Sequence, residues 1–174
     1  VSPHCEKICA FAAKTQQLSL KGCRMRVKGQ SILVTGAGNG IGEGIAKRLA
    51  EEGAVVTIND IDAQRADRVC QEIKARGGQA WACAGDVTRG ADWARMVEFA
   101  TSQGKGLNGV VNNAGWTHRN RPALEVSEAK FDQVFAINVK SIYLSTLHAV
   151  PVFRAQGGGS LINIASTAGV RPRP

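Results

Sequence analysis

The chain has 174 residues, 44% of them hydrophobic and 21% charged, a composition that supports one domain with its own core. Its formal charge of +8 sits at the ends: residues 1–28 hold six cations and one anion, Arg171 and Arg173 add two more, and 29–170 is close to neutral. A near-neutral body argues against a groove that tracks nucleic-acid phosphates, and no apolar run approaches the ~20 residues of a membrane-spanning helix.

Residues 1–24 show no helical or strand period and are expected to form a disordered or weakly ordered extension. A strand is predicted at 31–35, a helix at 41–52, a strand at 54–59 and a helix at 62–76. A strand at 79–84, a helix at 90–103, a strand at 107–112, a long helix at 127–154 and a strand at 160–165 follow. Short apolar strands alternating with helices predict an α/β domain over 25–174, a doubly wound parallel sheet covered on both faces. Gly53, Gly77-Gly78, Gly104, Gly106 and Gly157-Gly158-Gly159 fall where helices should end. Pro151 lies inside the last helical run and is expected to kink or shorten it.

The first strand-to-helix connection is rich in glycine: Thr35-Gly36-Ala37-Gly38-Asn39-Gly40-Ile41-Gly42. Strand, glycine turn and helix in that order suit a dinucleotide diphosphate, because glycines admit it closely and the first helical amides attract its charge. The spacing is T-G-x-x-x-G-x-G (Thr35, Gly36, Gly40, Gly42), since Ile41 occupies the third glycine position of G-x-G-x-x-G. Asp60 follows 24 residues after Gly36, where a carboxylate can accept hydrogen bonds from the adenosine ribose. That carboxylate should oppose a 2′-phosphate: two unit charges about 4 Å apart at an effective dielectric near 20 interact by roughly 4 kcal/mol. NAD is therefore expected over NADP. The ordinary alternative for Asp60 is a helix cap, a task that Asp62 can take, and Arg65 nearby can soften the preference.

Asn112-Asn113-Ala114-Gly115 comes directly after the fourth predicted strand. With the glycine turn and Asp60, it makes the chain resemble the short-chain dehydrogenase/reductase family over about 25–174. Three further matches carry the resemblance: Asp86-Val87 after the third strand, Asn138 in Phe135-Ala136-Ile137-Asn138-Val139, and Ile162-Asn163-Ile164-Ala165-Ser166. It implies a Rossmann sheet with strand order 3-2-1-4-5 and an NAD(P)-dependent oxidoreductase that moves a hydride between a nicotinamide and a carbonyl or alcohol substrate. Cofactor contacts are implied for Thr35, Gly36, Asn39, Gly40, Ile41, Gly42, Asp60, Asp86, Val87, Asn113, Ala114 and Gly115. Ser166 is implied to hydrogen-bond the reacting oxygen, and Asn138 to help order a relaying water. Trp116, Thr117 and His118 border the substrate space in such proteins. Full-length relatives are expected to be homo-oligomers, with a small molecule and neither nucleic acid nor membrane as partner.

The chain departs from the family at the Tyr-x-x-x-Lys motif, which is expected beyond Pro174. Tyr143 is the single tyrosine, and Leu147 stands where the lysine would be required. The sequence thus reads as a truncated form, inactive alone, lacking the family's last strands and leaving Leu161, Ile162 and Ile164 uncovered on an open edge. A non-catalytic NAD-binding or regulatory module, or a gene-model fragment, are the alternatives. Five cysteines (Cys5, Cys9, Cys23, Cys70, Cys83) without a Cys-x-x-Cys pair indicate free thiols and a cytoplasmic protein. His4 and His148 lack partners at metal-ligand spacing, so no metal is assigned.

Overall fold

The computed structural model describes residues 25–119 and 122–166, so the reading of 1–24 as an extension lies outside the described residues. Five parallel strands form one sheet in the order β3-β2-β1-β4-β5. They are β1 Ser31–Val34, β2 Val55–Asp60, β3 Gln79–Ala84, β4 Gly109–Asn112 and β5 Ser160–Asn163. The register pairs Ile32 with Val56 on one side and with Gly109 on the other. It also pairs Asp60 with Ala84, and Asn112 with Asn163. The central strands β1, β2 and β4 are buried along their whole length, as their unbroken apolar runs require in a sheet covered on both faces.

Alternation along β1 decides what each face holds. Ile32 and Val34 point into a core with Ala46 and Ala50 of α1 (Gly40–Glu51) and Ala66, Val69 and Ile73 of α2 (Ala63–Ala75). Leu33 points the other way, into a core with Trp93, Met96 and Val97 of α3 (Gly90–Gly104) and with Leu144, Ala149 and Phe153. Small residues on α1 let that helix lie close against the sheet.

The long helix predicted at 127–154 is two helices joined by a widened turn. α4 spans Glu128–Phe135, the π-helical turn spans Ala136–Lys140, and α5 spans Ser141–Ala155. The irregularity falls around Asn138, and α5 continues through Pro151 to Ala155, so the proline does not shorten it. Helix ends use glycine as expected at Gly53, Gly77 and Gly157, each with positive φ. At the end of α3 the left-handed residue is Lys105 (φ 56°). Gly104 instead lies so close to Ser31 that no side chain fits there. Leu161, expected to be uncovered, is partly buried against the α3–α5 core, whereas Ile162 and Ile164 are 51% and 41% exposed. Among the described residues no helix is long and apolar enough to cross a membrane.

Candidate functional site

Parallel strands place all their carboxyl ends along one edge, and β1 leaves that edge flanked by β2 on one side and β4 on the other. The connections after β1 and β4 therefore diverge and open a crevice, the usual ligand position in such sheets. A cavity of about 540 Å³ lies there, within the range of cofactor-sized sites. Its floor is the glycine turn with Gly36, Asn39, Ile41 and Gly42; one wall is Asp60, Ile61 and Arg65. The adjoining wall is Gly85, Asp86 and Val87, and the far side is Asn113, Ala114, Gly115, Trp116 and Ile137.

The turn is held from below. The buried Thr35 hydroxyl donates to the Val111 carbonyl (3.3 Å) and accepts from the backbone amides of Asn113 and Ala114 (3.1 Å each). The Asn113 side chain donates to the Thr35 and Gly36 carbonyls at 2.9 and 3.1 Å. Gly36 has φ +59°, and a Cβ there would sit 2.8 Å from the Ala114 Cα, so both the turn and the close approach of the Asn113 loop require glycine. Gly40 also has positive φ and opens α1; Asn39 precedes it in extended conformation with no side-chain cap on the helix.

Asp60 ends β2 and is 8% exposed. Its Oδ2 accepts the Gly38 amide (2.9 Å) and its Oδ1 the Asp62 amide (3.0 Å). The helix-capping task falls to Asp62, whose carboxylate accepts from the amides of Gln64 and Arg65. Arg65 pairs with that same carboxylate at 3.1 Å. Asp60 is thus fixed beside the cavity, and each carboxylate oxygen keeps a second lone pair for a hydroxyl.

The wall carrying Asp86 and Val87 is braced by side chains that the sequence reading left out. Asn59, fully buried, donates to the Cys83 and Gly85 carbonyls at 3.1 Å each. Arg95 donates to the Ala84 carbonyl (2.7 Å), Asp92 accepts the Asp86 amide (2.9 Å), and the Trp93 indole donates to the Val87 carbonyl (2.9 Å). The Asp86 amide and the Arg95 guanidinium hold the Asp92 carboxyl below the usual carboxylate range. The Asp86 carboxylate turns to the amide and hydroxyl of Thr88. Asn59, Ile61, Gly85 and Ile137 line the cavity beyond the residues named from sequence, and their adjacency to Asp60, Asp86 and Asn138 was the available signal.

Thr35, Gly40, Asn138 and Ser166 do not line the cavity; Thr35 lies beneath it and Gly40 at the helix start. Asn138 clasps the backbone of Trp116 from both sides, accepting its amide (3.0 Å) and donating to its carbonyl (2.6 Å). Ser166 stands three residues past β5 on the same edge of the sheet, after Ile164 extends the ladder to the Asn112 carbonyl. Below it, the Asn112 amide bridges Ser145 on α5 and Asn163 on β5, 2.8 Å to each. Tyr143 is on α5, 63% exposed and away from the cavity, with Val139 and Leu147 also exposed at helical spacing on either side. The His118 ring contacts the Arg119 carbonyl and lies outside the cavity lining.

Comparison with known proteins agrees with this arrangement. The short chain dehydrogenase family profile matches residues 30–174. The chain is 47% identical over 150 residues to 4-formylbenzenesulfonate dehydrogenase of Comamonas testosteroni, covering 86% of this chain and 60% of that protein. A 3-ketoacyl-(acyl-carrier-protein) reductase from Brucella melitensis, solved with NADH, superposes with TM-score 0.80 at 41% identity, covering 85% of this chain and 62% of that one. A 7α-hydroxysteroid dehydrogenase solved with NADH and 7-oxoglycochenodeoxycholic acid superposes with TM-score 0.81 at 34% identity, covering 86% and 58%. The chain spans about 60% of the length of the relatives it matches. With the glycine turn, the acid closing β2 and the Asn112–Gly115 loop meeting around one crevice, the chain belongs to the short-chain dehydrogenase family.

Proposed function

We propose that the crevice holds NAD, and that the activity it serves is hydride transfer between that cofactor and a small carbonyl or alcohol compound. The residues present fit a dinucleotide. Backbone amides and a helix start border the diphosphate position, Asp60 waits at the adenosine ribose, and Ile41, Ile61 and Val87 give apolar surface for flat rings. The nicotinamide, when bound, supplies the hydride chemistry. The chain's task is to bind and orient it.

Asp60 carries this reading: a buried carboxylate, pinned by two amides beside the cavity, meets ribose hydroxyls favourably and a 2′-phosphate unfavourably. We assign Ser166 to hydrogen-bond the reacting oxygen. Asn138 is assigned to fix Trp116 and the loop that frames the substrate side, a positioning role consistent with its two bonds to that backbone. The proteins named above act on an aldehyde, a ketoacyl group and a steroid alcohol, which supports a carbonyl or alcohol substrate here. The same reading includes a cytoplasmic location, supported by the unpaired buried thiols of Cys70 and Cys83. It also includes a homo-oligomer in the full-length form, supported by the exposed apolar row Phe135, Val139, Tyr143 and Leu147.

Calorimetric titration of the 174-residue chain tests the cofactor. NAD is expected to bind at least tenfold more tightly than NADP, and Asp60→Ala to narrow that gap by weakening NAD. Equal affinities for the two cofactors would refute the preference, and no affinity for either would refute the reading. One observation favours a second reading, a non-catalytic NAD-binding module: the single tyrosine lies away from the crevice, with Leu147 four residues on. In a chain extended past Pro174 to include a Tyr-x-x-x-Lys segment, NAD binding with no NADH formation against a panel of alcohols would support it.

A further inference from the structure

Gly38, in the middle of the glycine turn, is held at both of its polar groups. Its amide donates to Asp60 Oδ2 (2.9 Å), and its carbonyl accepts from Arg68 Nη2 (2.8 Å). Arg68 comes from α2, thirty positions along the chain, and it does not touch the cavity itself. The same guanidinium binds Glu43 Oε2 at 2.7 Å and Glu72 Oε1 at 2.6 Å. Lys47 closes the set by pairing with Glu43 (2.5 Å) and Glu72 (2.6 Å).

Glu43 gives this quartet its consequence. It stands in the first turn of α1, the helix whose start borders the cavity. A carboxylate there suits the helix dipole but opposes any anion brought to the same helix end. Arg68 and Lys47 offset that charge, and Arg68 foremost holds the Glu43 carboxyl ionised, down at about 2. Arg68 is 47% exposed, so its ion pairs are partly screened by solvent and weaken as salt is added. A forked guanidinium can reach a carboxylate and a carbonyl together, which a lysine ammonium does less well.

We propose that Arg68 is a positioning residue for the diphosphate-binding turn: it fixes the Gly38 peptide through its carbonyl and neutralises Glu43, so that the amides of the turn accept a dinucleotide's diphosphate. This rests on the cofactor reading above. It adds a residue that lies outside the cavity and outside the glycine motif.

The test uses Arg68→Gln and Arg68→Lys in the 174-residue chain, with NAD as titrant. Arg68→Gln should weaken NAD binding about tenfold at low salt, and the loss should shrink as salt screens Glu43. Arg68→Lys, which keeps the charge but not the fork, should fall between. Glu43→Gln added to Arg68→Gln should recover part of the loss. Amide hydrogen exchange of the cofactor-free chain gives a second readout, expected to quicken across residues 36–42 in Arg68→Gln while β1 and β2 keep their protection. NAD binding within twofold of the unmodified chain, or unchanged exchange in the turn, overturns the role of Arg68 and leaves the cofactor reading standing. Failure of the unmodified chain to bind NAD overturns the cofactor reading, and this inference with it.

Discussion

Gly38 shows how one missing methyl group organises a binding edge. A Cβ there would lie 2.7 Å from Arg65 Cβ and 2.7 Å from Asp60 Oδ2. Neither neighbour can yield cheaply, since one is fixed to its backbone and the other is the carboxylate that the Gly38 amide holds. Gly38→Ala should therefore destabilise the fold by about 1–3 kcal/mol, as other overpacked sites do. It should also push Asp60 off its place, so the preference for NAD over NADP should narrow. A melting curve and paired titrations check both parts; an unshifted Tm with unchanged preference would show that the turn relaxes around the methyl. The same residue explains why Asp60 is more than a cap. Each of the two Asp60 oxygens accepts one amide, from Gly38 and from Asp62, while the Asp62 carboxylate caps α2.

Between elements, the charge quartet is the main tie between α1 and α2 on the solvent side. Arg68 first, and then Lys47, lower the Glu43 carboxyl to about 2 from its ordinary 4.5. A folded-state value below the unfolded one means that ionised Glu43 stabilises the fold. That contribution is complete above the unfolded value of 4.5 and is lost as pH falls toward about 2. The urea midpoint of the unmodified chain should thus drop faster than that of Glu43→Gln between these limits, and the two curves should converge at the acid end. Parallel curves would show that the carboxylate gains nothing from folding. The break between α4 and α5 is also an effect of neighbouring elements. Nothing in the apolar period marks Ala136–Lys140 as a widened turn, yet Asn138 there reaches the Trp116 backbone on the loop after β4. Wide turns inside helices recur at functional sites, and this one presents a side chain to the rim of the crevice.

For the whole molecule, the sheet's two edges are unequal. Among the described residues β5 pairs only with β4, and it exposes Ile162 and Ile164. A parallel edge with unpaired backbone and branched apolar side chains invites a second chain. The 174-residue chain should therefore associate with rising concentration, and Ile162→Lys should suppress this without moving Tm by more than a few degrees. Light scattering against concentration measures it; a monomer with a cooperative melt at high concentration would contradict the prediction. Leu161 does not share this exposure because alternation turns it inward, onto the core beneath α5.

The sequence by itself determined the alternation of strands and helices in a parallel sheet and the motifs at its carboxyl edge, while the strand order 3-2-1-4-5 came from the family resemblance those motifs carry. Each of those signals is local: apolar runs, glycines at helix ends, a glycine turn after β1, an acid closing β2, and Asn113 to Gly115 after β4. Backbone geometry reads such signals within a few residues, and parallel strands then bring their carboxyl ends together. Tertiary structure alone decided who holds whom. Arg68 on Gly38, Asn59 on Gly85, Trp93 on Val87 and Asn138 on Trp116 are pairings of side chain with backbone that no period or motif encodes. Most join positions far apart in the chain, and which of several cations or amides reaches a given carbonyl depends on how the helices settle on the sheet. The sequence therefore names the turn, and the packing of α2 against α1 selects the arginine that holds it.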